Sequence, residues 1–185
     1  FEYLINEGLI NAAMDLSLHE IIAQDVFGLG FSAGAPGRLK VGAEKGIPMV
    51  VAPGALDFID VYVKDFMEGI IGDYRKRKYN LHNNQVAHVK AFPEESRKAA
   101  QLVVERLNEA KGPVTVLLPL KGLRADSLPG QKLYDPDVDN AILDTLRNGL
   151  NSNIKIVEVD ANILDMEFSR KAAEEMIALV KDMRK

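Results

Sequence analysis

Two rhythms of apolar residues alternate along this chain. Short, β-branched runs at Ala12–Leu16, Pro48–Ala52, Val86–Ala91 and Gly112–Pro119, with the alternating Ile154–Asp160, predict strands. Longer stretches carry apolar residues three or four apart, as one face of a helix does. These are Phe1–Leu9, Arg38–Lys45, Pro93–Ala110, the segment opened by Asp135-Pro136, and Glu167–Met183. Ser17 with Glu20 reads as a capping box that opens a further helix toward Ala23. Leu56–Asn84 fits neither rhythm cleanly: Phe58–Val63 suits a strand or a helix, and the segment reads as an excursion from the sheet. The run from Gly112 to Pro119 is apolar throughout, as a strand buried on both faces is, and makes the centre of a mostly parallel sheet. Strands alternating with helices predict an α/β class, a three-layer α/β/α Rossmann-like domain built with right-handed crossovers.

That fold places the loops that follow strands along one rim, where open α/β sheets bind ligands. The Gly/Pro-rich segments Ser32–Arg38, Pro53–Asp57, Pro119–Gly130 and Asp160–Asp165 follow strands or strand candidates. In the first, Ser32, Ala33, Gly34 and Gly37 offer backbone N–H groups at a helix start and Arg38 a counter-charge, suited to a phosphate or carboxylate; the same glycines equally serve tight turns. In the second, Pro53 and Gly54 leave a strand and Asp57 stands one turn on, placed to take a ribose hydroxyl or a metal through water or, the commoner use, to cap a helix. In the third, Lys121, Gly122, Ser127 and Gly130, with Arg124 and Asp126, suit a lid over a polar ligand or a salt-bridged surface loop. In the fourth, Asp160 sits at a strand end. Asp57 and Asp160 are the candidate catalytic bases.

Composition narrows the chemistry more than it identifies it. The 185 residues are 47% hydrophobic and 27% charged with a net charge of -4, an ordinary globular balance with no general pull toward nucleic acid or anionic membrane. No cysteine is present, which removes disulfides, thiolate nucleophiles and thiolate metal sites and fits a cytoplasmic protein. His19, His82 and His88 share no metal-ligand spacing, so no metal is expected. The basic run Arg75–Lys78, beside Tyr74, Tyr79 and His82, has the residue types of a small RNA-contacting patch; in an acidic chain a solvated loop is the commoner use, and nucleic acid is not the expected partner. The amphipathic Phe1–Leu9 opens the chain as if inside an element, and is read as a linking helix from a preceding part of a longer polypeptide.

A family resemblance joins these segments. Ser32-Ala-Gly, Gly46-Ile-Pro, Pro53-Gly-Ala-Leu-Asp57, His82-Asn83, Pro93-Glu-Glu, Gly112-Pro-Val-Thr-Val-Leu-Leu-Pro-Leu-Lys-Gly, Pro129-Gly-Gln, Asp135-Pro and Glu158-Val-Asp stand in the order of an uncharacterised-protein family. It is the family that includes the tomato mosaic virus resistance protein, called Tm-one-like. The resemblance covers nearly the whole chain. It implies that residues 1–185 form the carboxyl-terminal α/β domain of a two-domain protein, that the protein forms homo-oligomers, and that ATP or another nucleotide is a ligand, as for the plant member. Where the family usually has Ala-His-Ile-Asn-Asp, this chain has Ala161-Asn-Ile-Leu-Asp165. Three functions follow as expectations: binding of a nucleotide or phosphorylated small molecule at the rim together with the amino-terminal domain; a hydrolase or transferase acting on a phosphorylated or carboxylated metabolite; or a protein or RNA interaction module.

Overall fold

The computed structural model describes residues 1–182. In chain order the elements are α1 (Glu2–Asn6), β1 (Ala13–Ser17), a π-helical turn (Ile21–Phe27), α2 (Lys40–Lys45), β2 (Met49–Gly54), β3 (Phe58–Tyr62), α3 (Val63–Met67), β4 (Tyr79–Leu81), β5 (Val86–Lys90), α4 (Pro93–Asn108), β6 (Val114–Pro119), α5 (Pro136–Gly149), β7 (Lys155–Val159) and α6 (Met166–Asp182). Met183, the expected end of the last helix, lies outside the described residues.

The main sheet is parallel, in the order β1-β2-β6-β7. β2 and β6 are buried at every residue, which is why they read as unbroken apolar runs; β7 alternates because it lies at an edge. Strand order rises steadily along the sheet, so three right-handed crossovers step the same way and leave their helices on one face. There Met49, Val51, Val116 and Leu118 pack against Val103 and Leu107 of α4 and Ile142 and Leu146 of α5. The alternate residues Val50, Ala52 and Leu117 face α6 through Phe168 and Ala172, which completes the third layer.

The excursion between β2 and β6 is a second sheet, antiparallel, in the order β3-β5-β4. Phe58–Val63, which suited a strand or a helix, is strand through Tyr62, and at Val63 the chain turns into α3. The capping box at Ser17 does not form. The Glu20 carboxylate turns instead to Arg38, 3.2 Å away, and the helical turn is of the π type. Pro136 does occupy the first turn of α5, but the Asp135 carboxylate takes the Lys78 ammonium at 2.8 Å rather than capping the helix. Among the described residues no helix is long and apolar enough to cross a membrane.

Candidate functional site

The carboxyl ends of the four parallel strands share one rim, and their loops are tied to one another. Leu18 N–H donates to Gly54 O (2.8 Å), Leu120 N–H to Val159 O (2.9 Å), and Ile163 N–H to Gly122 O (3.1 Å). Ser127 Oγ donates to Asp57 Oδ2 at 2.7 Å, which fastens the loop after β6 to the turn after β2. Two clefts open at this rim, one beside β1 and one beside β6.

Most polar side chains between the clefts come from one face of the second sheet. In its antiparallel register Phe58 faces Lys90 and Asp60 faces His88, so these four share a side. The alternate residues Ile59, Val61, Ala87 and Val89 make the apolar core on the other side.

The first cleft has a volume of about 650 Å³ and is lined by Asp15, His19, Glu20, Ser32, Arg38 and Asp60, among others. Its charges are already paired. Arg38 forms a bidentate fork on Asp15, with Nε and Nη2 each 2.8 Å from a carboxylate oxygen, and Nη1 reaches Glu20. Of the loop N–H groups expected to hold a phosphate, that of Ser32 bonds Asp60 Oδ1 at 3.3 Å and that of Ala33 bonds Gly30 O at 3.2 Å, and at the start of α2 the N–H groups of Leu39 and Val41 bond the Glu2 carboxylate at 2.8 and 3.2 Å. The expected anion position at Arg38 is therefore filled by the chain's own carboxylate. Leu39 is held there in a left-handed conformation (φ 75°), which a leucine adopts only under constraint. Replacing Glu2 with alanine is expected to cost about 1–2 kcal/mol, the range of a lost helix cap, seen as a lower urea midpoint at unchanged slope.

Asp60 bridges His19 and Ser32. It accepts from Ser32 Oγ at 3.0 Å and lies 3.2 Å from His19 Nε2, while His19 Nδ1 is 2.9 Å from Ala55 O. Burial works against its charge, but the bonds from His19 and Ser32 prevail and hold the carboxyl down at about 2. Because the carboxylate stands between serine and histidine, the histidine does not touch the hydroxyl, and this is not the arrangement of a nucleophilic triad.

The second cleft, about 390 Å³, lies between the loop after β6 and the start of α5. Leu120, Leu128, Pro129, Pro136 and Leu143 give it apolar walls, and Lys121, Ser127, Tyr134, Asp139 and Asn140 add polar groups. Behind it Lys90, 2% exposed, directs its ammonium at Asp57 Oδ2 (2.7 Å), Asp139 Oδ1 (3.2 Å) and Ser127 Oγ (3.3 Å). Burial and the negative charge of Asp57 raise the Asp139 carboxyl to about 6 against the pull of Lys90. Asp57 goes the other way: burial opposes its charge, yet the Lys90 and Arg124 cations bring it below its ordinary value.

An aromatic ridge separates the clefts. The Phe58 ring stacks on His19 (4.1 Å between centroids) and carries the Arg124 guanidinium, whose central carbon lies 3.5 Å from the Phe58 ring centroid. Arg124 also reaches His88 Nδ1 at 3.1 Å. Burial and the Arg124 charge lower His88, so its neutral ring can accept that bond.

Against this geometry the residues proposed from sequence divide. Ser32 and Arg38 line the first cleft, and Lys121, Gly122 and Ser127 the second. Asp57 has no exposed surface and sits behind Ser127, so as a base it would have no direct access to a ligand. Asp160 lines neither cleft; it is an exposed partner of Lys121 at 2.9 Å. Pro53 and Gly54 are buried residues of β2, Gly34 and Gly130 have open space around them, Gly37 has a left-handed φ of +92°, and Ala33 N–H closes a turn on Gly30 O. Of the basic run, Arg75 pairs with Asp73, Arg77 with Glu95 and Lys78 with Asp135, so it is no free cationic patch. No group of three or more His, Asp or Glu among the described residues is placed to hold a metal ion. His19, Asp60, Lys90 and Asp139 carry much of the site and were not among the residues proposed for it, whereas Arg124 was read only as part of a polar loop. Asp60, His88 and Lys90 had a signal, polar residues alternating with apolar ones in a strand pattern, whereas Asp139 looks like any acid in a first helical turn.

Comparison with known proteins places the whole chain. It is 33% identical over 180 residues to a UPF0261 protein of Clostridium tetani, an alignment covering 97% of this chain and 43% of that protein. A UPF0261 protein of Brucella suis is 33% identical over 137 residues, 74% of this chain and 32% of its own. The ToMV resistance protein Tm-1 of Solanum lycopersicum is 31% identical over 182 residues, 96% of this chain and 23% of its own. The chain thus spans less than half the length of these curated relatives. Residues 1–180 match the model described as "Uncharacterised protein family (UPF0261) C-terminal domain", and the chain belongs to that family.

Proposed function

We propose that this domain binds a nucleotide or another phosphorylated small molecule in the second cleft, as the carboxyl-terminal domain of a longer, oligomeric, cytoplasmic protein whose amino-terminal domain shares in the binding. The observation that carries this reading is the cleft itself: about 390 Å³ at the carboxyl end of β6, with apolar walls for a ring and a few convergent polar groups. Lys121 at its edge supplies a cation, held only in a solvent-exposed pair with Asp160 that a phosphate can displace, unlike the buried Arg38–Asp15 fork, and α5 begins beside it. The first cleft suits a phosphate poorly, since its arginine is committed to Asp15 and Glu20. The two-domain part of the reading is supported by the greater length of the relatives and by the family's description.

A second reading, an enzyme acting on such a molecule, is favoured by Asp139, a cleft carboxyl that burial and Asp57 push up to about 6. It takes the place of Asp57 and Asp160 as the candidate acid or base.

Titration calorimetry and melting curves of the full-length protein with ATP, ADP, AMP and inorganic phosphate test the binding. Ligand at a hundred times its Kd is expected to stabilise by about 2.7 kcal/mol. Lys121→Glu is expected to weaken binding about tenfold, near 1.4 kcal/mol, and Glu20→Gln in the first cleft to leave it unchanged. Absence of both heat and a melting shift with every probe would refute the proposal.

A further inference from the structure

We propose that the second cleft takes up its phosphorylated ligand together with one proton, which rests on the Asp139 carboxyl and is shared with a ligand oxygen. The inference depends on that cleft being the ligand site, and adds to it a residue and a chemical requirement.

The geometry begins with an imbalance. One buried ammonium, on Lys90, faces two carboxylates, Asp57 and Asp139. They are not held equally. Asp57 receives Lys90 at 2.7 Å and also the Ser127 hydroxyl at 2.7 Å; Asp139 receives only Lys90, at 3.2 Å. With both acids ionised the trio carries one uncompensated negative charge in a largely desolvated place, so the proton that neutralises it belongs on the less well held acid. That acid is also the one within reach. Asp139 lines the cleft with its side chain 14% exposed, and its Oδ2 has no hydrogen-bond partner among the described residues, whereas Asp57 has no exposed surface.

The surrounding charges do not remove the imbalance. On α5 itself Asp135 is paired with Lys78, and Asp137 opens on a separate groove beside Arg97. On the loop after β6, Arg124 is paired with Asp126 and acts also on Asp57, which favours the ionised form of that acid and leaves the proton to Asp139, and Lys121 is paired with Asp160. From β5 come Lys90 and, two residues away on the same side, His88, whose lowered ring stays neutral beside Arg124; from the turn before β3 comes Asp57. A phosphate oxygen brought beside an ionised Asp139 meets like charge; beside the protonated acid it accepts a hydrogen bond. The step balances simply: an O–H bond forms on Asp139 with a solvent proton, no other covalent bond changes, and the proton returns to solvent when the ligand leaves. The raised titration of this carboxyl, near 6 without ligand, agrees with the geometry.

The test is ATP binding to the full-length protein and its Asp139→Asn variant between pH 5 and 8, measured in two buffers of different ionisation heat. The terminal phosphate of ATP itself gains a proton near pH 6, so the comparison between the two proteins isolates Asp139. Between pH 6 and 8 the wild-type affinity is expected to fall at least tenfold further than that of the variant, with about one extra proton taken up per ATP at pH 8. Carbon-13 carboxyl titration of the wild-type protein gives a second readout that needs no substitution: the Asp139 midpoint should rise when ATP is bound. Equal pH slopes in the two proteins, or an Asp139 midpoint unmoved by ATP, overturn this inference and leave the binding site standing. Absence of ATP binding at every pH overturns both.

Discussion

Replacing Lys90 with methionine is expected to destabilise the domain by about 3–5 kcal/mol, the cost of stripping the partner from a buried charge. At roughly 2–4 °C per kcal/mol for a chain of this size, the melting temperature falls by roughly 6–20 °C. Methionine keeps most of the aliphatic stem, so the loss is one of charge rather than volume. It leaves Asp57, which has no exposed surface, with Ser127 as its one remaining hydrogen-bond donor. The pH dependence identifies the cause. Asp57 is lowered in the folded protein, so the stability it contributes is present above its unfolded value of about 3.9 and is lost as pH falls through the folded value. The gap between wild type and Lys90→Met should therefore be widest at neutral pH and close toward pH 3. Asp139 has the opposite sign. Its folded carboxyl titrates at about 6, so the folded state holds a proton that the unfolded state has released, and stability declines as pH rises from about 4 to about 6. Asp139→Asn, whose amide oxygen can still accept from Lys90, is then expected to be more stable than wild type by about 2–3 kcal/mol at pH 7 and indistinguishable below pH 4. Urea unfolding across this pH range measures both effects.

The parallel sheet was legible because its two central strands are buried at every position and, Thr115 aside, apolar, a pattern that burial on both faces demands. Pro93 and Pro136 marked helix starts correctly because a missing N–H costs nothing in a first turn. Local rules failed where a long-range ion pair outbid them. Glu20 and Asp135 had the spacing of capping residues, but an arginine and a lysine distant in sequence claim their carboxylates. The candidate site was legible as a place more than as a set of residues. Gly- and Pro-rich segments do meet at the carboxyl ends of the strands, yet the groups that set its charge arrive on the second sheet. That sheet's polar face, with Asp60, His88 and Lys90, is assembled by antiparallel pairing, which no local pattern specifies. Glu2 shows the same limit: its use as the anion at the start of α2 depends on a contact across 37 positions of sequence.

Gly54 marks where packing and ligand binding make different demands on one residue. Its place at a strand end suggests close approach to a ligand, but the structure gives it another task. A Cβ on Gly54 would lie 2.2 Å from the Leu16 carbonyl oxygen and 2.8 Å from Ile163 Cδ1. The first of these is backbone, brought close because the β1–β2 register shifts between Asp15 and Ser17, and it cannot swing aside as a side chain could. Gly54→Ala must push β1 away from β2 at the rim, straining the Leu18 N–H bond to Gly54 O and shifting the floor of the first cleft. The expected cost is about 3 kcal/mol, at the upper end for overpacking, with amide exchange of β1 accelerated relative to β6. Gly34, around which no atom would crowd a Cβ, supplies the control: Gly34→Ala should stay within about 0.5 kcal/mol of wild type. If instead Gly54→Ala kept wild-type stability and lost only ligand affinity, the glycine would be serving the ligand and not the union of β1 with β2.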